Sequence, residues 1–281
     1  MLKMEKIPKI IHYCWFGKKQ LPELAHKCIK SWEKFLPNYE IKQWNETNFD
    51  INCCKFVRQA YENKKFAFVS DYARFKIIYE YGGVYFDTDV ELIKSIDDIL
   101  DKGPFMAFEK NNKGENIAPG LGIASYPKHK IYKEILDMYE RISFIKEDNS
   151  FNLKIVGEYT TDVLKKYGLQ SSTKIQQIEN IYLYPKEYFS PKEFETQKIV
   201  ITENTRSIHH YNASWVDSYS RREYLKIGNY KIVRFKRNKQ IIEDEINLKE
   251  NEKICFLLKV SKNKKFAILK YKKDSVCLSN L

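Results

Sequence analysis

The chain has 281 residues, 43% of them apolar and 31% charged, so it can bury a large core and is too apolar for a disordered segment. Its formal charge of +12 suggests nucleic-acid binding, but residues 221–281 hold 17 basic and 7 acidic residues, against 32 basic and 30 acidic residues in 1–220. The charge excess therefore lies in the tail, and specific recognition of nucleic acid is not expected.

Membrane insertion and secretion are also not expected. Charges interrupt every apolar run before the roughly 20 residues that a membrane span needs. Residues 1–6 lack the apolar stretch of a signal peptide, and the six cysteines show no Cys-x-x-Cys spacing. We expect a cytoplasmic protein with reduced thiols.

The first 45 residues predict a β-α-β unit. Residues 9–15 form a short apolar run typical of a central parallel strand. Apolar positions then recur at helical spacing over 24–35, and 39–44 alternates as a second strand. The opening of the chain therefore predicts an α/β domain.

The next informative stretch predicts a helix from Ser70 to Tyr81, with Ser70 as its cap and Asp71 in its first turn. Gly82 and Gly83 end it, and a strand over 84–86 runs into Asp87-Thr88-Asp89.

Downstream elements are predicted less sharply. Strands are expected near 105–108, 175–178 and 207–210, and helices over 131–142 and 158–167. From about residue 229 onward, short apolar runs separated by Lys- and Asn-rich turns predict antiparallel hairpins, with a loose basic tail as the alternative.

The pair Asp87 and Asp89 is the first candidate for chemistry. At i and i+2 they share one side of an extended chain, and open α/β sheets bind ligands beyond the carboxyl ends of their strands. Hard carboxylate oxygens there suit Mg²⁺ or Mn²⁺, which in turn binds a pyrophosphate. For Asp71 and Arg74 alone, the alternative is an i,i+3 surface ion pair.

Three ordered blocks resemble one enzyme family: 7–17 (IPKIIHYCWFG), 70–90 (SDYARFKIIYEYGGVYFDTDV) and 209–215 (HHYNASW). They are similar to the DXD-motif glycosyltransferases that include fungal outer-chain α-mannosyltransferases and bacterial capsule and lipopolysaccharide glycosyltransferases. The large glucosylating toxins have a related catalytic domain. The resemblance implies a GT-A fold (a Rossmann-like mixed sheet flanked by helices), a nucleotide-sugar donor, Mn²⁺ or Mg²⁺, and retention of anomeric configuration.

The same resemblance implies roles for the central residues. Asp89 is the expected main metal carboxylate, and Asp87 contacts the ribose or, through water, the metal. Asp71 and Arg74 bind hydroxyls of the donor sugar, Arg74 through its planar fork of donors. Tyr85 supports the site from its strand.

Further donor-binding residues are implied at the two ends of the match. His12, Tyr13 and Trp15 belong to the first strand and nucleotide loop, with Trp15 as a base-stacking candidate whose alternative is a core aromatic. Of the histidine pair, His210 is the expected ligand of the metal or the β-phosphate, since imidazole suits Mn²⁺ and donates to anions.

Ser214 and Trp215 are expected to close over the pyrophosphate in a lid that orders on donor binding. The chain departs from the family where Gly157-Glu158 stands in place of a Gly-Pro dipeptide, which leaves the acceptor side open. No secure nucleophile for double displacement is apparent, so front-face displacement is favoured.

The sequence thus predicts a catalytic domain over 1–220 and a basic β appendix over 221–281. The expected activity is retaining, metal-dependent transfer from a nucleotide sugar (a UDP-hexose or UDP-N-acetylhexosamine) to a glycan or lipid-linked glycan. The expected setting is bacterial capsule or lipopolysaccharide synthesis, with the appendix contacting the anionic inner membrane face.

Two alternatives come from other classes. Asp87-Thr88-Asp89 also fits the first motif of an Asp-nucleophile phosphohydrolase, but the later acidic residues Asp97, Asp98 and Asp101 follow too closely to form its second motif. A non-enzymatic nucleic-acid binder is suggested by the net charge alone.

Overall fold

The computed structural model describes residues 6–111, 114–171, 174–192 and 198–211, together with seven short strands between 223 and 280. It divides into two compact units, Met1–Asn212 and Ala213–Leu281. The helices are α1 (Glu23–Phe35), α2 (Lys55–Glu62), α3 (Phe66–Tyr81), α4 (Asp97–Leu100), α5 (Lys130–Glu140), α6 (Val156–Lys165) and α7 (Lys186–Phe189).

The first unit is built on one mixed sheet. The strands of this unit are β1 (Ile10–Cys14), β2 (Glu40–Trp44), β3 (Gly83–Tyr85), β4 (Val90–Leu92), β5 (Phe105–Asn111), β6 (Gly114–Ile117), β7 (Ile123–Ser125), β8 (Gln176–Ile178), β9 (Ile181–Tyr184) and β10 (Ser207–His209). All of them belong to the mixed sheet except β4 and β10, which form a separate pair. The sheet order is β2-β1-β3-β7-β5-β9-β8, with β6 on β5 and β4 paired with β10.

Strands β2, β1 and β3 are parallel neighbours, whereas β7 runs antiparallel to both β3 and β5. Apolar clusters lie on both sides of this sheet, one containing α1 residues and the other containing α2, α3 and α5 residues. The prediction of an α/β fold with a mixed sheet flanked by helices is confirmed.

Helix α3 begins earlier than the sequence predicts. It starts at Phe66 after the cap residue Lys65, because the apolar residues Phe68 and Val69, directly before Ser70, pack into the core. Ser70 is therefore not a cap, and its hydroxyl donates to the Phe66 carbonyl at 3.2 Å. The buried residues of α3 lie on more than one side of the helix.

Gly82 and Gly83 end α3 with φ values of 67° and 91°, in the region that favours glycine. A Cβ on Gly83 would lie 2.6 Å from the carbonyl oxygen of Ile10, so this close approach lets β3 pair with β1 directly after the helix.

The two later helices begin and end one or two residues from their expected bounds: those expected over 131–142 and 158–167 are Lys130–Glu140 and Val156–Lys165. The strand expected near 105–108 continues to Asn111. Strand β9 was not predicted. It follows β8 through Glu179 and Asn180, which both adopt positive φ, as a tight hairpin requires.

The second unit contains antiparallel strands, as expected for the tail. They are β11 (Glu223–Ile227), β12 (Tyr230–Arg237), β13 (Gln240–Glu243), β14 (Ile246–Leu248), β15 (Glu252–Ile254), β16 (Ala267–Lys272) and β17 (Ser275–Asn280). The first three form one sheet and the last four another. Within the described part of the chain, no helix has both the length and the apolar character to cross a membrane.

His12 lies in the middle of β1 and has no exposed surface. The Trp44 indole donates to its Nδ1 at 3.1 Å, so the ring hydrogen is on Nε2, which donates to the Gly82 carbonyl at 3.0 Å. Burial lowers the pKa of His12 to about 4 despite the Gly82 hydrogen bond. The neutral ring thus ties β1 to β2 and to the end of α3.

This geometry predicts a pH-dependent loss of stability. The unfolded chain protonates His12 near pH 6.5, but the folded protein resists protonation until about pH 4. The contribution of neutral His12 to the free energy of unfolding is therefore fully present above pH 6.5, and about 3 kcal/mol of it is lost as the pH is lowered to 4. Urea unfolding of the wild type and His12→Asn at several pH values checks this. In His12→Asn the free energy of unfolding should depend less on pH between 6.5 and 4 than in the wild type. Replacement of the exposed His26 by Asn should leave this dependence as it is in the wild type. An unchanged dependence in His12→Asn would contradict the assignment.

Candidate active site

The candidate site lies where the parallel strands β2, β1 and β3 end. Trp15 follows β1, Asn45 follows β2, and Phe86-Asp87 follows β3. Because neighbouring parallel strands end at the same edge, their trailing residues share one crevice, the usual ligand position in an open α/β sheet.

The two aspartates of the DXD sequence do not lie on an extended strand. The Val90 N–H donates to the Asp87 carbonyl at 3.1 Å, so Asp87 to Val90 form a turn between β3 and β4. The expectation of an extended i,i+2 pair is wrong. The turn forms because β4 leaves the main sheet to pair with β10.

Arg74 joins two of the candidate carboxylates. Its Nη2 lies 3.0 Å from Oδ1 of Asp71 and 3.3 Å from Oδ1 of Asp87, and its side chain is only 5% exposed. Its Nε donates to the Ser70 carbonyl at 3.1 Å, which fixes the plane of the guanidinium. The pair Asp71–Arg74 is therefore buried, and the surface-ion-pair alternative does not apply.

Tyr85 and Gly120 hold Asp87 from two further directions. The Tyr85 hydroxyl donates to Oδ1 of Asp87 at 2.9 Å, and the Tyr85 ring lies 5.0 Å from the Arg74 guanidinium carbon. The Asp87 N–H donates to the Gly120 carbonyl, and a Cβ on Gly120 would lie 2.1 Å from Oδ2 of Asp87. Only glycine leaves room for this carboxylate.

Burial raises the pKa values of two acidic groups of the site, Asp71 and Asp87. It raises the pKa of Asp71 to about 7, with Arg74 opposing the shift, and it raises the pKa of Asp87 in the same way. The Val156 N–H, in the first turn of α6, also bonds to Asp71. This contact brings the segment with the missing proline directly against the carboxylate cluster.

His209 is the imidazole beside Asp89. Its Nε2 lies 3.2 Å from Oδ1 of Asp89, and its Nδ1 is 3.9 Å from Oε2 of Glu109. Burial alone lowers the pKa of His209, but the two carboxylates outweigh it and raise the pKa. Glu109 was not singled out by sequence; only its place after the apolar strand residues 105–108 could have indicated it.

His210 faces another group. Its Nε2 lies 2.7 Å from Oε2 of Glu91, which also accepts from Lys27 at 2.7 Å. The His210 N–H donates to the Asp89 carbonyl at 3.0 Å, which continues the pairing of β10 with β4. The structure thus places His209, rather than the expected His210, next to the DXD carboxylates.

The residues of the first strand take different positions. His12 is enclosed in the core with both ring nitrogens bonded, which leaves it no surface for a donor contact. Tyr13 is largely buried, and its hydroxyl donates to Gln43 at 2.9 Å. Trp15 is partly exposed, and its indole donates to the Lys19 carbonyl at 2.6 Å. Ser214 and Trp215 lie outside the described residues.

The donor chemistry of the site fits a divalent cation. Asp87 and Asp89 supply hard oxygens, and one imidazole lies beside Asp89. Among the described residues, no three His, Cys, Asp or Glu side chains are gathered as a complete cage. Mg²⁺ is usually bound by one or two carboxylates together with substrate phosphates, which is the arrangement that this edge offers.

Comparison with known proteins agrees with this geometry. Residues 22–106 match the family model described as a glycosyltransferase sugar-binding region containing a DXD motif. This region, which is less than half of the chain, is similar to that family. It contains α3, Asp71, Arg74 and both DXD aspartates. The match, together with the names of the relatives, indicates that the protein is a glycosyltransferase.

Two curated relatives carry the same activity in their names. An uncharacterised glycosyltransferase of Acanthamoeba polyphaga mimivirus is 27% identical over 198 residues, which cover 66% of this chain and 76% of the viral protein. Inositol phosphoceramide mannosyltransferase 1 of Schizosaccharomyces pombe is 31% identical over 115 residues, covering 37% of this chain and 34% of the yeast enzyme. The chain therefore spans only about a third of that yeast relative.

Solved structures show weaker likeness. The PaToxG glycosyltransferase superposes with a TM-score of 0.45 at 19% identity, covering 58% of this chain and 70% of its own. A glycosyltransferase involved in glycosylation of the major capsid of PBCV-1 gives a TM-score of 0.33 at 13% identity, covering 58% and 77%.

Proposed function

We propose that this glycosyltransferase is metal-dependent and retaining, and that it uses a UDP-hexose or UDP-N-acetylhexosamine. The observation that carries the proposal is the buried bridge of Arg74 between Asp71 and Asp87, beside Asp89 at the carboxyl edge of the sheet. A preorganised set of charged groups at this edge suits recognition of sugar hydroxyls next to a diphosphate.

Asp89, with Asp87, would hold Mn²⁺ or Mg²⁺ together with the donor diphosphate. When bound, the metal ion supplies Lewis-acid stabilisation of the departing nucleoside diphosphate. We assign the accompanying imidazole to His209 in place of His210, because only the His209 ring lies against Asp89. The carboxylates of Asp89 and Glu109 on either side of the ring raise the pKa of His209 and so favour its protonated form.

The described carboxylates of the site favour front-face displacement over double displacement. Asp71 and Asp87 are both engaged by the Arg74 guanidinium, and Asp87 also accepts from Tyr85. Such charge-assisted bonds hold both carboxylates in place and stabilise the negative charge on Oδ1 of each, which lowers their reactivity as nucleophiles. Trapping a covalent glycosyl-enzyme on either carboxylate would contradict this mechanism.

The acceptor we propose is a glycan or lipid-linked glycan in bacterial capsule or lipopolysaccharide synthesis. The enzyme would work in the cytoplasm, with the catalytic domain over 1–220 and the basic appendix over 221–281 at the anionic inner membrane face. The support is the concentration of positive charge in the tail, where each Lys or Arg near such a surface adds about 1 kcal/mol of attraction. Similarity to the DXD glycosyltransferase family favours this function over phosphohydrolase activity or nucleic-acid binding.

The experiment is a donor-hydrolysis screen against a nucleotide-sugar panel, with and without Mn²⁺. We expect one UDP-sugar to be hydrolysed in a metal-dependent way, and Asp89→Asn to lower the rate about a hundredfold, because it weakens charge stabilisation at the leaving group. Asp101→Asn, which changes an exposed acidic residue, is the matched control and should be unaffected. Full activity in Asp89→Asn, or in chelator, would exclude the proposed metal site.

A further inference from the structure

The carboxyl ends of β1 and β2 present an amide to the same crevice. Tyr13 and Gln43 are register partners on these parallel strands, so their side chains share one face, and Trp15 lies two residues beyond Tyr13 on that face. The Tyr13 hydroxyl donates to Oε1 of Gln43 at 2.9 Å. Gln43 itself is partly exposed.

This contact sets the direction of the amide. With Oε1 occupied by a buried hydroxyl, the Gln43 amide nitrogen is the group left to face outward, as a hydrogen-bond donor. No hydrogen bond from that nitrogen is recorded within the described part of the chain. The crevice edge therefore offers an oriented donor on a fixed side chain.

Trp15 supplies a flat surface at a suitable distance. Its indole N–H is occupied by the Lys19 carbonyl at 2.6 Å, which fixes the ring, and the ring packs against the core cluster while keeping part of its surface exposed. The following loop is held by the Gly17 N–H, which donates to Glu46 at 3.0 Å, and Glu46 is held in turn by Tyr61. Strand spacing and rise place the backbones of Trp15 and Gln43 roughly 8 Å apart, which suits a base stacked on the ring with its edge at the amide.

We propose that Gln43, oriented by Tyr13, reads the base of the nucleotide donor and selects bases that carry a keto oxygen at the ring position where cytosine or adenine carries an exocyclic amino group. Its amide donates to a keto oxygen such as that of uracil, whereas the exocyclic amino group of cytosine or adenine meets a second donor. This inference rests on the proposed function and adds the residue that sets nucleotide specificity.

The test is calorimetric binding of UDP, GDP, CDP and ADP with Mg²⁺ to the full chain. The wild type should bind UDP and GDP more tightly than CDP and ADP. Gln43→Leu should lower that preference by roughly three- to tenfold, the range of one hydrogen bond. Gln43→Glu, which accepts instead of donating, should move the preference toward CDP and ADP. The nucleotide preference of Tyr13→Phe should lie between those of the wild type and Gln43→Leu, because the amide loses its orienting partner.

Gln177→Glu changes an exposed glutamine on β8 at the opposite edge of the sheet and should leave all four affinities unchanged. Equal binding of the four nucleotides by the wild type, or an unaltered preference in both Gln43 variants, would overturn the inference alone. Failure of the wild type to bind any of them would contradict the nucleotide-sugar donor itself, and the inference with it. Thermal unfolding of each variant separates these outcomes from misfolding.

Discussion

Replacing Arg74 by Leu should abolish detectable transfer and lower the free energy of unfolding by about 3–5 kcal/mol, because the buried carboxylate of Asp71 and the partly buried carboxylate of Asp87 are left without their cation. Arg74 is 5% exposed and contacts both Asp71 and Asp87, so water cannot take its place without opening the cluster. Burial raises the pKa of Asp71 to about 7 even with the guanidinium present. Denaturant unfolding and donor hydrolysis measure the two effects separately.

Two further variants sharpen this test. Arg74→Lys keeps the charge but loses the planar fork, so we expect it to recover stability more than activity. Lys76→Leu, on the same helix, removes an i,i+4 pair with Glu80 in which both side chains are about one third exposed. It should cost less than about 1 kcal/mol and leave activity intact. Activity of Arg74→Leu within tenfold of the wild type would reduce the cluster to a structural role.

The sequence predicted the elements whose patterns are local. The apolar run of β1, the periodicity of α1 and the two glycines after α3 each determine their own structure, and all are found close to their expected positions. The start of α3 was missed because Ser70 is a favourable cap in isolation, whereas the burial of Phe68 and Val69 extends the helix past it. Tertiary packing thus outweighed a capping preference.

Four of the residues that the resemblance assigns to the site are neighbours in the structure, but their contacts were not predictable from the sequence. Asp71, Arg74, Asp87 and Tyr85 lie together, but which oxygen faces which donor depends on the turn at Asp87 to Val90. The choice between His209 and His210 depends on the pairing of β10 with β4, two segments more than a hundred residues apart. Contacts of Glu109, Gly120 and Gln43 are likewise set by strand order, and no local pattern encodes them.

Gly120→Ala should lower donor hydrolysis on the order of a hundredfold, the cost of displacing a catalytic group by about 1 Å. The added Cβ would lie 2.1 Å from Oδ2 of Asp87. The other oxygen of this carboxylate, Oδ1, is held by Arg74 and Tyr85, so the carboxylate has little room to move. No positive φ is recorded for Gly120, so alanine fits its backbone and the carboxylate is the obstacle. Gly168→Ala is the opposite control: its φ of 90° strains the chain, but nothing lies within 4 Å of the new atom. That variant should lose about 1 kcal/mol of stability and keep its activity.

In an Asp87→Ala background the clash disappears, so adding Gly120→Ala should change stability far less than it does in the wild type. Additive stability losses in this cycle would show that Gly120 acts independently of Asp87.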